Sequence, residues 1–152
     1  AAEALAALSA LKMSAREAPG PVGTASSIKM IRSVMMKGLE ALFLECVLAG
    51  RKAGVDEVVL DSLDVTYPGF GFKERAAYMQ ERVMTHGVRR AAEMREVART
   101  VNELGLAGGM ARAAGDWQQR VGDLKLDARA IGEGDYRALA DAILARLDTV
   151  ER

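Results

Sequence analysis

Residues 20–38 read GPVGTASSIKMIRSVMMKG and gather the chain's most reactive side chains in one short stretch. Thr24, Ser26 and Ser27 are side chains that cap the first turn of a helix. Unpaired amides and the positive end of the helix dipole then point out of that terminus. Lys29 follows within about a turn, Ser33 lies four residues on along the same face, and Arg32 stands beside it at plus three. An ammonium, a guanidinium, hydroxyls and helix amides around one spot suit a small carboxylate-bearing ligand. A lysine crowded by other positive charge is also how amines become proton carriers near neutral pH. The same residues have a plainer reading, since a lysine early in a helix often just reaches solvent and Ser or Thr there often only caps.

A second group is His86-Gly87-Val88-Arg89-Arg90, where glycine is expected to break or kink a helix and aim side chains into a cleft. His86 is the only histidine, and imidazole titrates near neutrality, so it can relay a proton or touch a substrate. Arg89 and Arg90 have the forked donors that grip a carboxylate or phosphate. The competing reading of His86 is a helix-end residue capping carbonyls. Trp117 and Cys46 read as packing residues, Cys46 from its place on an apolar helical stripe.

Other chemistries lack their residues. No G-x-G-x-x-G follows a strand pattern, and G-x-x-x-x-G-K-[ST], paired-histidine and C-x-x-C motifs do not occur. One cysteine leaves no internal disulfide, and with one histidine beside it a metal site would need carboxylates, which do not cluster. Lys plus Arg (21) balance Asp plus Glu (21), and basic residues are not interleaved with aromatics, which argues against nucleic acid. No apolar run reaches the roughly 18 residues of a membrane helix. The start carries Glu3 and no basic cluster, so it does not read as a signal peptide, and the cytoplasm is the expected compartment.

The elements that must position these groups are helices. Ala, Leu, Met, Glu and Arg dominate and prolines occur only at 19, 21 and 68, so the fold class is all-α. The spacing predicts a main helix over Ala25–Ala53, stopped at Gly54. It carries one apolar stripe (Ile28, Ile31, Met35, Leu39, Leu42, Cys46, Ala49) and a second apolar set (Met30, Val34, Leu44, Val47, Leu48). A helix apolar on several sides is expected to be central and covered by neighbours. Helices are also predicted over Asp56–Leu63, Lys73–Thr85, Val88–Leu104 and Met110–Val121, with a turn over Asp64–Phe72 and a looser Gly122–Gly134. Asp135 is expected to cap a last helix, Tyr136–Val150. The opening reads as a helix over Ala1–Leu11 and a short strand over Met13–Ala18. A lone strand has no ladder partner, so residues 1–20 read as the remnant of a missing N-terminal domain.

The stretch Gly23-Thr24-Ala25-Ser26-Ser27-Ile28-Lys29-Met30-Ile31-Arg32-Ser33 resembles the G-x-x-x-x-x-K-[MI]-x-x-N segment of the β-hydroxyacid dehydrogenases, the superfamily of 6-phosphogluconate and 3-hydroxyisobutyrate dehydrogenases. KGLEALFLECVLAGRKAGVDE and LDVTYPGFGFKERAAYMQERVMTHGVRRAAEMREVARTVNELGL are similar to one branch, the NAD-binding 6-phosphogluconate dehydrogenase-like proteins with a poorly characterised C-terminal domain. The resemblance covers roughly residues 13–122. It implies an all-α C-terminal domain built on one long helix, after a Rossmann domain of which residues 1–20 are the remnant. Residues 21–122 would form the substrate and dimerisation domain, and 123–152 an extension with the final helix.

By this resemblance Lys29 would be the proton donor and acceptor of an NAD(P)-dependent oxidoreductase acting on a small hydroxy acid. Arg32, Ser33 and the amides near Gly23, Thr24 and Ala25 would hold a small carboxylate substrate. NAD or NADP would be bound mainly by a domain outside this chain, leaving the chain inactive alone, and a homodimer would form through the helices. Ser33 stands where the family has asparagine, so a hydroxyl replaces an amide that both donates and accepts. The alternative is a non-catalytic helical dimerisation or small-acid-binding module derived from the same fold.

Overall fold

In a computed structural model, residues 2–150 are described, and among them helix is the sole regular secondary structure. Ala1 and residues 151–152, at the two ends of the predicted segments, lie outside the described residues. The helices are α1 (Ala2–Ala10), α2 (Thr24–Ala53), α3 (Asp56–Thr66), α4 (Phe72–Glu103), α5 (Gly109–Gly122), α6 (Ala128–Gly132) and α7 (Tyr136–Val150). The all-α fold around a long helix stands as expected, and α4 matches α2 in length.

α2 and α4 run antiparallel, with Lys37 meeting Glu93 and Glu40 meeting Arg90. α5 packs antiparallel on α4, and α7 crosses both long helices. Leu44, Val47, Val83, Leu139 and Ile143 fill the main core, and Met94, Val97, Ala111 and Ala114 form a second one. Trp117 packs against both, as a packing residue should, while its indole Nε1 donates to Glu45.

A buried polar knot joins the three central helices. Arg90 Nη1 and Gln118 Nε2 both donate to Glu40 Oε2, and all three residues are buried. A second network fastens α7. Buried Asp56 accepts from the Tyr136 hydroxyl (2.8 Å) and Arg137 Nε (3.2 Å), and Arg51 makes a forked pair with Asp141. Burial pushes the Asp56 carboxyl up, but those two hydrogen bonds, with a backbone hydrogen bond and the nearby Arg51 charge, overcome it and hold the group below the usual carboxylate range. Asp135 caps α7 through Arg137 N and Ala138 N, as its position predicts.

Five expectations are corrected. Met13–Ala18 forms no strand, because no second strand exists among the described residues to complete its ladder. α4 runs unbroken through His86-Gly87. Glycine inside a helix costs only about 1 kcal/mol, and here its missing side chain lets α5 approach. α3 runs on to Thr66, into the predicted turn, and α6 forms within the segment read as loose. The fifth concerns α2, which is covered on one side only. The set containing Leu44, Val47 and Leu48 is buried, whereas Ile28, Ile31, Met35 and Leu42 face outward, Met35 at 63% exposure.

The α4–α5 crossing yields the first expected result. A Cβ on Gly87 would stand 2.3 Å from the Gln118 carbonyl oxygen and 2.8 Å from Gly122 Cα. Both obstacles are backbone, so the helices must part. Gly87→Ala is expected to cost about 3 kcal/mol, seen as a fall in thermal midpoint of roughly 6–12 °C. Gly38→Ala, with nothing within 4 Å of its new Cβ, is expected to hold or raise the midpoint.

Candidate substrate site at the start of the long helix

α2 begins without a side-chain cap. Gly23 occupies the cap at φ 103°, and the Thr24 hydroxyl turns back to donate to the Pro21 carbonyl at 2.8 Å. None of Thr24, Ser26 or Ser27 caps the helix, a correction with a chemical consequence. Ser27 N reaches Gly23 O, while the amides of Ala25 and Ser26 have no acceptor within the helix and open outward.

Lys29 lies on the inner row of α2. At about 100° per residue it shares its azimuth with Val47 and lies close to that of Glu40, both buried. Lys29 itself is exposed, as are residues 25–28, because the bundle ends at Met30, which packs on the core containing Val97 and Val101. Lys29 is the first inner-row side chain past the lip of the bundle. Arg32, also exposed, is turned about 60° from it toward the outward apolar stripe.

Ser33 is 7% exposed and donates to the Lys29 carbonyl at 2.9 Å. Its oxygen accepts from Lys37 Nζ at 3.4 Å. Lys37 in turn pairs with Glu93 (3.7 Å), which also takes Arg89. The serine hydroxyl is therefore committed on both sides, and the half-buried cation beside it is Lys37. Sequence reasoning passed over Lys37, although its four-residue spacing from Ser33 was the signal available. It also passed over Glu40 and Gln118, since nothing in a sequence shows that residues 40, 90 and 118 meet.

The predicted site residues thus divide. Gly23, Thr24, Ala25, Lys29 and Ser33 gather at one end of α2, with Arg32 on an adjoining face. Arg89 is held by Glu93, and His86 lies about one turn before Arg90 on α4, where it meets Arg82. Glu40, which meets Arg90, stands eleven residues after Lys29, about 16 Å along the axis at 1.5 Å per residue. His86 and Arg89 are not part of the Lys29 cluster within one chain.

Among the described residues no cluster of His, Cys, Asp and Glu could hold a metal ion, and no helix is long and apolar enough to cross a membrane. Cys46 is half-buried in an apolar groove with Leu39, Leu42, Leu60, Leu63 and Phe72, and burial raises its thiol pKa. That disfavours the thiolate and leaves the residue a packing group.

Comparison with known proteins adds two findings. Residues 51–121 match the family described as Domain of unknown function (DUF1932). The fold is similar to that in the crystal structure of the conserved hypothetical protein from Sinorhizobium meliloti 1021, with a TM-score of 0.83 and 38% sequence identity. That match covers 96% of this chain and 49% of the other, so the chain spans about half the length of its structural relative. No curated protein matches it. Lys29 and Ser33 precede the family segment but fall in the part of the fold where α2 begins. Residues 51–121, from the end of α2 into α5, are thus similar to the DUF1932 family, within an all-helical fold similar to that of the Sinorhizobium meliloti protein.

Proposed function

We propose that this chain is the substrate-binding and dimerisation part of an NAD(P)-dependent oxidoreductase acting on a small hydroxy acid. The observation that carries the reading is Lys29, an inner-row amine left uncovered past the lip of the bundle beside open helix amides. An all-helical fold with a DUF1932 segment fits a dehydrogenase-like C-terminal domain. The chain has no glycine-rich phosphate loop, and in this reading the dinucleotide is bound mainly by a separate domain. When bound by a separate half, that cofactor would supply the hydride chemistry.

The work assigned to this chain is acid–base and positional. In the oxidation direction Lys29 Nζ takes the proton of the substrate hydroxyl, and in reduction it returns it. The open amides of Ala25 and Ser26 receive the carboxylate at the positive helix end. Arg32 adds a fixed cation from the adjoining face. Ser33, which donates to the Lys29 carbonyl and accepts from Lys37, holds the turn that carries Lys29. The test joins these residues to a nucleotide-binding half and follows nicotinamide absorbance with a panel of small hydroxy acids. Turnover with at least one acid supports the reading; a folded, cofactor-binding protein inert toward all of them counts against it.

The outward stripe of α2 gives the dimerisation half of the reading its support. Ile28, Ile31, Met35 and Leu42 are all more than half exposed along one helix face. They continue into the apolar groove lined by Leu39, Phe43, Cys46 and Leu63. An apolar face of that length marks a protein contact, and a second copy offers the same stripe in return. Met35→Glu is expected to weaken self-association by about 2 kcal/mol or more, roughly thirtyfold in Kd. Its thermal midpoint at low concentration should stay put, because Met35 packs on little within one chain. Sedimentation equilibrium that gives one unchanged mass for both proteins would contradict it.

A further inference from the structure

The flank of α4 remote from Lys29 carries a polar cleft of about 690 Å³, closed on its other side by α6 and the loop after it. That volume suits a small organic ligand. Tyr78, Arg82 and His86 follow one another at four-residue spacing along its floor. The Arg82 guanidinium lies over the Tyr78 ring (5.9 Å to the centroid) and its Nη1 is 3.1 Å from His86 Nε2. Arginine only donates, so Nε2 must be the accepting nitrogen and the imidazole neutral, with its proton on Nδ1.

Arg82 is held in place without an acid. It forms no ion pair among the described residues, and its buried Nε donates to nothing. A buried unmet donor on a pinned cation marks a missing acceptor. Arg129, exposed, also lines the cleft and forms no ion pair among the described residues. Three carboxylates share the lining with the two arginines: Glu81 accepts from Gly134 N, and Asp127 accepts from Arg129 N as the cap of α6. Glu133, at the rim, is the one lining carboxylate with no such partner.

We propose that this cleft is a second binding site, independent of the Lys29 reading, which takes a small carboxylic acid with its carboxylate on Arg82 and Arg129. A carboxylate is a stronger acceptor for guanidinium than a neutral imidazole. It therefore displaces His86 from Arg82 and frees Nε2 to take up a proton. In the free protein, burial and the neighbouring charges of Arg82, Arg90 and Arg89 hold His86 below its ordinary pKa, against a smaller opposite pull from Glu40. Ligand binding reverses part of that, so binding takes up protons and strengthens as pH falls through the histidine's range.

The sole histidine makes the test clean. The His86 ring resonances are followed by NMR against pH in the chain as it stands, with and without malonate. Expected are a saturable shift at millimolar malonate and a rise in His86 pKa, both lost in Arg82→Gln and weakened in exposed Arg129→Gln. Lys29→Ala is expected to leave them intact, which separates this site from the oxidoreductase reading. No saturable shift would overturn the proposal. So would an equal shift from sodium chloride, or an undiminished malonate response in both arginine variants.

Discussion

Glu40→Ala is expected to remove about 3–5 kcal/mol of stability, the usual cost of stranding a buried charge. Arg90 has no other carboxylate, its side chain is only 7% exposed, and its Nε is already without an acceptor. Gln118 would lose its acceptor in the same step. Domains of this size hold roughly 5–15 kcal/mol in total, so the variant should be partly unfolded at 37 °C. The pair is not itself a large source of stability, because both ions give up hydration to form it. Replacing both, as Glu40→Met with Arg90→Met, is expected to recover most of the loss. Urea titrations of the three proteins measure the difference. A single variant within 1 kcal/mol of the parent would mean that Arg90 finds water or another partner.

The second large effect concerns rate. In the protein joined to its nucleotide-binding half, Lys29→Ala is expected to lower kcat/KM by about 10²–10⁴-fold, the usual worth of a positioned proton carrier. Stability should not follow, since the side chain is exposed and touches neither core. Ser33→Ala is expected to act more mildly and indirectly. It frees the Lys29 carbonyl and lets Lys37 fall back on Glu93 alone.

Helical periodicity made most of the fold legible before any coordinates. α2 and α7 start and stop within a residue of their expected bounds, and Gly54 ends α2 at φ 72°. Periodicity shows that a face is apolar but not what covers it. For that reason the stripe of Ile28, Ile31 and Met35 fits a core as well as an interface in the sequence, and in the fold it faces outward. His86-Gly87 misled for a related reason: glycine weakens a helix locally, and only the three-dimensional approach of Gly122 shows why it is there. The candidate site was half legible. The local spacing of Lys29 and Ser33 on one face stands. Where His86 and Arg89 stand relative to them is not given by spacing, because it depends on how α4 lies against α2. The Glu40–Arg90–Gln118 knot joins three helices far apart in sequence, and no local pattern announces it.

The claim on which the functional account rests is that the Lys29 amine moves a proton, and the most direct test keeps its charge while removing its ability to do so. Arginine at this position stays protonated throughout the accessible pH range. Nicotinamide-coupled turnover of Lys29→Arg, measured beside the parent in the joined protein, should fall to about one-hundredth or less, with dinucleotide affinity and thermal midpoint unchanged. Turnover within a few-fold of the parent would contradict the account, leaving Lys29 a charge at the mouth of the bundle and the proton to another group.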